Sequence, residues 1–189
     1  MALRRGVYPG SFNPPTLAHV EIAAAAAEQH RLDIVDLAIS RVALAKEDVT
    51  VPRFDHRLQV VAEVVEDHHW LGMLVTNAQL LVDIADGYDV LVMGADKWHQ
   101  IQDPVFYDDN AAARDAAMAA LPTVAVAPRP PLEVPDEILL DVPDELADMS
   151  SSAARDGMHH WMHPRALAFD IQTGAWTDQQ RYLNDLADP

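Results

Sequence analysis

Thr16 and His19 are the side chains of this sequence best spaced for chemistry, three apart where a turn runs into a helix. Residues three apart share one face of a helical turn, so a hydroxyl and an imidazole meet there. They close the stretch Val7-Tyr8-Pro9-Gly10-Ser11-Phe12-Asn13-Pro14-Pro15-Thr16-Leu17-Ala18-His19, which begins as a strand and turns through Gly10 and a proline pair. At such a strand–loop–helix corner the free N–H groups and the positive dipole end of the helix face the loop and suit an anion. Neither G-x-x-x-x-G-K-[ST] nor G-x-G-x-x-G occurs in the stretch, so Thr16 and His19 replace the P-loop lysine as what it offers a phosphate. The competing reading is a plain βα turn with His19 on its surface.

A second constellation is Met149-Ser150-Ser151-Ser152-Ala153-Ala154-Arg155. Serine hydroxyls cap helices well, and an arginine within one turn adds a fixed cation. Hydroxyls, helix N–H groups and a guanidinium together suit the β- and γ-phosphates of a triphosphate. An ordinary capped helix with a solvent arginine would read the same way. Downstream, His159 and His163 are spaced i, i+4 as on a helix, next to His160. No carboxylate stands at zincin spacing and no cysteine exists, so a solvated helix face is favoured over zinc and no metal site is expected.

Strands alternating with helices must position these residues. Strands are expected at Arg5–Tyr8, Ile34–Ile39, Leu74–Thr76, Asp89–Met93 and Thr123–Ala127. Helices are expected over Leu17–Gln29, with Leu17, Val20, Ala24 and Ala27 on its core face, from Pro52 onward, over Ala78–Ala85 and over Ala111–Leu121. A polar loop carries Lys46, Glu47 and Asp48, and Pro128–Pro143 reads as a loop with a short strand at Ile138–Val142. The alternation predicts an α/β, Rossmann-like, doubly wound parallel sheet in a single domain spanning 1–189, with a C-terminal helical segment at about 150–189. Ligands of such sheets sit beyond the carboxyl ends of the strands, where Gly10 and Gly94-Ala95-Asp96 fall.

Composition narrows the partners. A net charge of −17 with 13 Lys and Arg argues against nucleic acid as a general partner. A polyanionic ligand would need local cations, so each basic residue near a loop matters. No apolar run is long enough for a membrane span and no signal layout opens the chain, so a soluble, cytoplasmic protein is expected. The absence of cysteine excludes a thiolate nucleophile.

The run Gly10-Ser11-Phe12-Asn13-Pro14-x-Thr16-x-x-His19 resembles the first signature of the nucleotidyltransferase superfamily with a T/H-x-G-H motif. Its Phe-Asn-Pro variant looks most like the nicotinate- and nicotinamide-mononucleotide adenylyltransferases. Ala18 stands where that motif usually has glycine. Ser150–Arg155 resembles the superfamily's Ser-Ser-Thr/Ser-x-x-Arg motif, and His163–Ile171 sits where the mononucleotide branch carries a Val-Pro-x-x-Val-x-x-Tyr-Ile helix. The resemblance implies transfer of AMP from ATP to a phosphorylated acceptor, nicotinate mononucleotide first, with release of pyrophosphate. Phosphopantetheine as acceptor, or CTP as donor, are the alternatives within the superfamily, and a degenerate nucleotide-binding regulatory module is the alternative outside catalysis.

On that resemblance His19 donates to an α-phosphate oxygen and Thr16 supports the phosphates. Gly10, Ser11, Phe12, Gly94, Asp96, Ser150, Ser151, Ser152 and Arg155 lie against the nucleotide, and Mg2+ arrives with ATP. Lys46 and Arg57 occupy a region where relatives hold a basic pair. Trp98 and Phe106 lie where an aromatic ring stacks on the pyridine in the nicotinate enzymes. Asp96 as a helix cap, the aromatic rings as core packing and the cations as surface charges are the competing assignments.

Overall fold

The computed structural model describes residues 3–41 and 51–187; Lys46 and the polar loop around it lie outside them. Five parallel strands form one sheet in the order β3-β2-β1-β4-β5, with β1 Arg5–Pro9, β2 Ile34–Ser40, β3 Leu71–Thr76, β4 Val90–Gly94 and β5 Thr123–Ala127. Helices α1 Leu17–His30, α2 Phe54–Glu66, α3 Leu81–Ile84, α4 Ala95–Gln100 and α5 Ala111–Ala119 connect them, and α6 Ser151–Arg155, α7 Pro164–Thr173 and α8 Gln179–Ala187 follow. This is the single-domain, Rossmann-like α/β fold the alternation predicts.

Period-two alternation sorts the strands' side chains between two cores. Tyr8, Leu37, Ile39, Val90 and Val92 pack on one face with α1 and α2 residues such as Val20, Ala23, Val61 and Val64. Val7, Ala38, Leu91 and Met93 pack on the other, with Leu81 and Ile84 of α3 and Ala95 of α4. A third cluster gathers Val60 with Ala154, Met162, Ala166, Ala175, Trp176 and Tyr182, joining the C-terminal helices to α2.

One polar group is buried in the sheet. Asp36 of β2 pairs with the Arg5 guanidinium and accepts a hydrogen bond from the Tyr88 hydroxyl at 2.8 Å. Gly72, its partner across β3, leaves the space: a Cβ there would lie 1.9 Å from Asp36 Oδ1.

Several expected boundaries move. β3 begins three residues early, at Leu71, and the helix expected over Ala78–Ala85 contracts to α3. Ile138–Val142 is not a strand. Asp136–Ile138 form a 3-10 turn, and Leu139 makes a single bridge to Val126 between the flanking Pro135 and Pro143. The core face of α1 also differs: Ala18, Val20, Ala23 and Ala26 are buried, while Leu17 is 37% exposed. A run of alanines offers little contrast between faces, so the helix's rotation is set by how its first turn is capped. Among the described residues no helix is long and apolar enough to cross a membrane.

Ala18, on the first turn of α1, is 2% exposed. Ala18→Gly should therefore lower the unfolding free energy by about 1 kcal/mol through lost helix propensity. Urea titration measures this; an unchanged midpoint would show that the methyl contributes nothing.

Candidate active site

In the sheet order β1 is flanked by β2 on one side and β4 on the other, so the chain reverses direction across it. Ligands of open α/β sheets bind at that reversal, beyond the carboxyl ends. The loop leaving β1 occupies it. The Gly10 N–H donates to the Ala38 carbonyl at 3.0 Å, and the chain then turns back through Phe12, which sits in the left-handed region at φ 43°. That turn folds the Phe12 ring over Gly10, where a Cβ would meet it at 2.9 Å. The ring is 1% exposed and packs edge-on against His19, with centroids 5.0 Å apart. The Phe12 ring thus forms a wall behind His19.

Thr16 and His19 are joined reciprocally. The Thr16 N–H donates to His19 Nδ1 at 2.9 Å, Thr16 Oγ1 lies 2.8 Å from the same nitrogen, and the His19 N–H turns back to Oγ1 at 3.4 Å. This capping box starts α1. It also settles the tautomer. Nδ1 accepts a backbone N–H, so it carries the lone pair and the ring proton of the neutral imidazole is on Nε2. Thr16 is fully buried, with its hydroxyl against the His19 ring.

Burial is the main reason the His19 pKa falls, to about 4, and the charge of Arg129 adds to it. At neutral pH the residue is therefore an uncharged Nε2–H donor. Arg129, just past β5, was not among the expected residues. It lies 3.9 Å from Asp96, and together the two project charge onto Tyr8 and the corner. Its signal was legible: it is one of few cations and directly follows a buried strand. Asp96 does not cap α4; Gly94 occupies the cap position, and a Cβ on it would collide with Asp96 Oδ1 at 2.6 Å.

The serine turn meets the same loop. Ser150 caps α6, Ser151 donates its hydroxyl proton to the Pro14 carbonyl at 2.8 Å, and Arg155 binds the Asn13 carbonyl and Ser152 Oγ. The two sequence constellations thus meet in space, with Arg155 holding the turn's own backbone.

On the β2 side, Arg57 of α2 is 6% exposed and has no carboxylate partner among the described residues. It donates to the Ser11 carbonyl at 3.3 Å, while its Nε is buried without a partner among the described residues. Burial alone pulls its pKa down. Arg57 and Arg41 both stack on Phe54, at 5.3 and 5.1 Å from the ring centroid. Arg41, just past β2, was also missed from the sequence.

The remaining candidates fall elsewhere. Trp98 packs half-buried against the second core, and Phe106 is exposed on the turn Pro104–Tyr107. Neither makes a hydrogen bond or ring contact with the corner. His159 and His163 do not share a helix. His159 opens a 3-10 turn, whereas His163 caps α7, its ring accepting the Arg165 N–H at 3.3 Å.

Fold and corner together define an α/β protein with a neutral histidine at the reversal point of its sheet. The chain belongs to the cytidylyltransferase-like family, whose sequence model matches residues 7–156. That family and this fold are those of nucleotidyltransferases. Two solved structures of nicotinic acid mononucleotide adenylyltransferase from Plasmodium falciparum share the fold. One, complexed with NaAD, has a TM-score of 0.61 at 13% identity, and the other, complexed with APC, has 0.63 at 14%. Each alignment covers 93% of this chain and 98% of the other. No curated protein matches the chain in sequence.

The histidine geometry has a direct solution test. The His19 ring should stay neutral in the folded protein down to about pH 4, followed by its ring proton shifts in NMR. Because the folded value lies below the unfolded one, the resulting stability is present above about pH 6.5 and is lost as pH falls toward 4. Titration near 6.5 would mean an open, hydrated ring.

Proposed function

We propose that the protein transfers AMP from ATP to a phosphorylated acceptor, with nicotinate mononucleotide the first choice, and releases pyrophosphate. The observation that carries this reading is the Thr16–His19 pair, which leaves one neutral Nε2–H as a donor at the reversal point of the sheet. Family membership and the fold shared with two adenylyltransferase structures support it.

No protein nucleophile is needed. An acceptor phosphate oxygen attacks the α-phosphorus of ATP as the bond to pyrophosphate breaks, and the chain's part is alignment and charge stabilisation. His19 would donate to an α-phosphate oxygen as charge builds on it. A neutral donor loses no proton and meets no like charge in Arg129. Arg129 on the β5 side and Arg57 with Arg41 on the β2 side supply cations on either side of the loop, which a strongly acidic chain otherwise lacks. Arg57 is the more telling, because a buried guanidinium with an unpartnered nitrogen is satisfied by an incoming anion. The serine turn and Arg155 complete the wall toward the leaving group.

Mg2+ fits as part of the nucleotide. Among the described residues no three His, Asp or Glu come together as a metal site, and Asp96 is the one carboxylate among the corner residues. The ion would be held by phosphate oxygens and water, with Asp96 in reach of that shell, and would supply neutralisation of the triphosphate charge.

Pyrophosphate release from ATP, with nicotinate mononucleotide, nicotinamide mononucleotide or phosphopantetheine as acceptor, tests the activity; CTP in place of ATP tests the donor. His19→Ala should lower turnover ~10²–10³-fold with little change in ATP affinity, as expected for loss of one transition-state donor. It should also cost about 1 kcal/mol of stability, because the capping box goes with it. Equal turnover would remove His19 from the chemistry, and nucleotide binding without pyrophosphate release would favour a regulatory module.

The arginines separate the two ligands. Arg57→Gln should raise the acceptor KM about tenfold or more, the size of a lost charge-assisted bond, and leave the ATP KM within about twofold. Arg129→Gln should act on ATP instead. The reverse pattern would exchange their assignments.

A further inference from the structure

The turn Asn13-Pro14-Pro15, which carries Thr16 and His19, is gripped by the C-terminal segment at four points. Three of them take backbone carbonyls: Ser151 Oγ binds Pro14, the Arg155 guanidinium binds Asn13, and the His163 N–H binds Pro15 at 2.9 Å. The fourth takes a side chain. Trp176 Nε1–H donates to Asn13 Oδ1 at 2.7 Å, with Trp176 3% and Asn13 8% exposed. Indole nitrogen can only donate, so the orientation of the Asn13 amide follows from the bond itself.

Trp176 is held just as firmly from behind. Asp170 at the end of α7 is 5% exposed and spends both carboxylate oxygens on the turn that presents the indole. Oδ1 accepts the Trp176 N–H at 2.6 Å and the Thr177 N–H at 3.0 Å, and Oδ2 accepts the Thr177 hydroxyl at 2.6 Å. Gly174, at φ 73°, makes the reversal between α7 and that turn. A continuous set of bonds therefore runs from Asp170 through Trp176 and Asn13 to the turn, and from Thr16 to His19 Nδ1.

We propose that Trp176 is a positioning residue for the reaction: its indole N–H holds Asn13 and thereby fixes where the turn places His19 Nε2–H. The proposal rests on the adenylyl-transfer reading for its kinetic consequence, but not for its structural one. A packing role alone would be met by any large aromatic ring in the cluster of Val60, Ala154, Met162 and Tyr182. Phenylalanine lacks both the N–H and part of the indole's volume; the Asn13 variants isolate the N–H, because they remove its partner and leave the ring in place, and a buried donor with a 2.7 Å partner is costly to leave unmade.

The experiment compares Trp176→Phe, Asn13→Leu, the double variant and Asn13→Asp by steady-state kinetics and by amide hydrogen exchange at Thr16 and His19. Trp176→Phe should lower kcat about tenfold or more with the ATP KM within about twofold, because misplacing a reacting group acts on the transition state. Asn13→Leu should do the same, and the double variant should be no worse than either, since both remove one bond. Asn13→Asp keeps an acceptor for the indole and should retain kcat within a few-fold. Thr16 amide exchange should accelerate about tenfold in both single variants.

Unchanged kcat in Trp176→Phe overturns the proposal, as do losses that multiply in the double variant. If Trp176→Phe does not fold, Thr177→Val loosens the same turn from its exposed side, and wild-type kcat in that variant overturns it equally. If the wild-type protein releases no pyrophosphate with any acceptor, the functional reading fails by itself. Exchange then decides: Thr16 protection unchanged by Trp176→Phe overturns the positioning role, and faster exchange upholds it.

Discussion

The reciprocal bond between Thr16 and His19 is what the rest of the site depends on. It performs two tasks with one set of atoms. As a helix cap it satisfies N–H groups that would otherwise be orphaned where α1 leaves the loop, and so sets the rotation of an alanine helix with little apolar contrast of its own. As a proton constraint it occupies Nδ1 and leaves the donor on Nε2. A glutamate in a capping box could do the first and not the second. The imidazole therefore ties the start of a structural element to the protonation state of a chemical group.

Burial behind Phe12 and the charge of Arg129 then act in the same direction, against the imidazolium. The corner carries its positive charge on arginines, which cannot lose it, and its hydrogen-bond donor on a ring that does not acquire it. A polyanion entering such a site meets constant charge over the physiological pH range. On the proposed reading, the same division would let a chain of net charge −17 receive phosphates, since its few cations stand in part just past the strand ends.

Much of this was legible in the sequence. Alternating apolar runs marked the five strands and their buried character, and Gly10, Thr16, His19 and the serine turn, singled out by type and spacing, meet around one loop. What the sequence hid was of two kinds. Partnerships across long separations, such as Trp176 with Asn13, leave no local pattern, because either residue alone reads as core or turn. Orientation was the other. Phe12 and Thr16 stand in the strand–loop–helix stretch but are buried, since the left-handed backbone at Phe12 and the cap at Thr16 turn them away from the loop's open side. The histidine spacing of 159 and 163 misled because Pro164 starts a new helix after His163 and separates the two into different elements.

The buried Asp36 has a consequence for how this chain can change over evolutionary time. Its carboxylate occupies the volume where any side chain on Gly72 would begin, and it answers both Arg5 and the Tyr88 hydroxyl. An alanine at position 72 collides with the carboxylate for as long as the acid is present, whereas loss of Asp36, though it leaves the same two polar groups without their partner, removes the collision and frees position 72 to take a strand-forming residue. The two sites can therefore be substituted only in one order, the acid first and the glycine second. Among homologues, a side chain at the Gly72 position should accordingly mark lineages that have already given up the acid at the other.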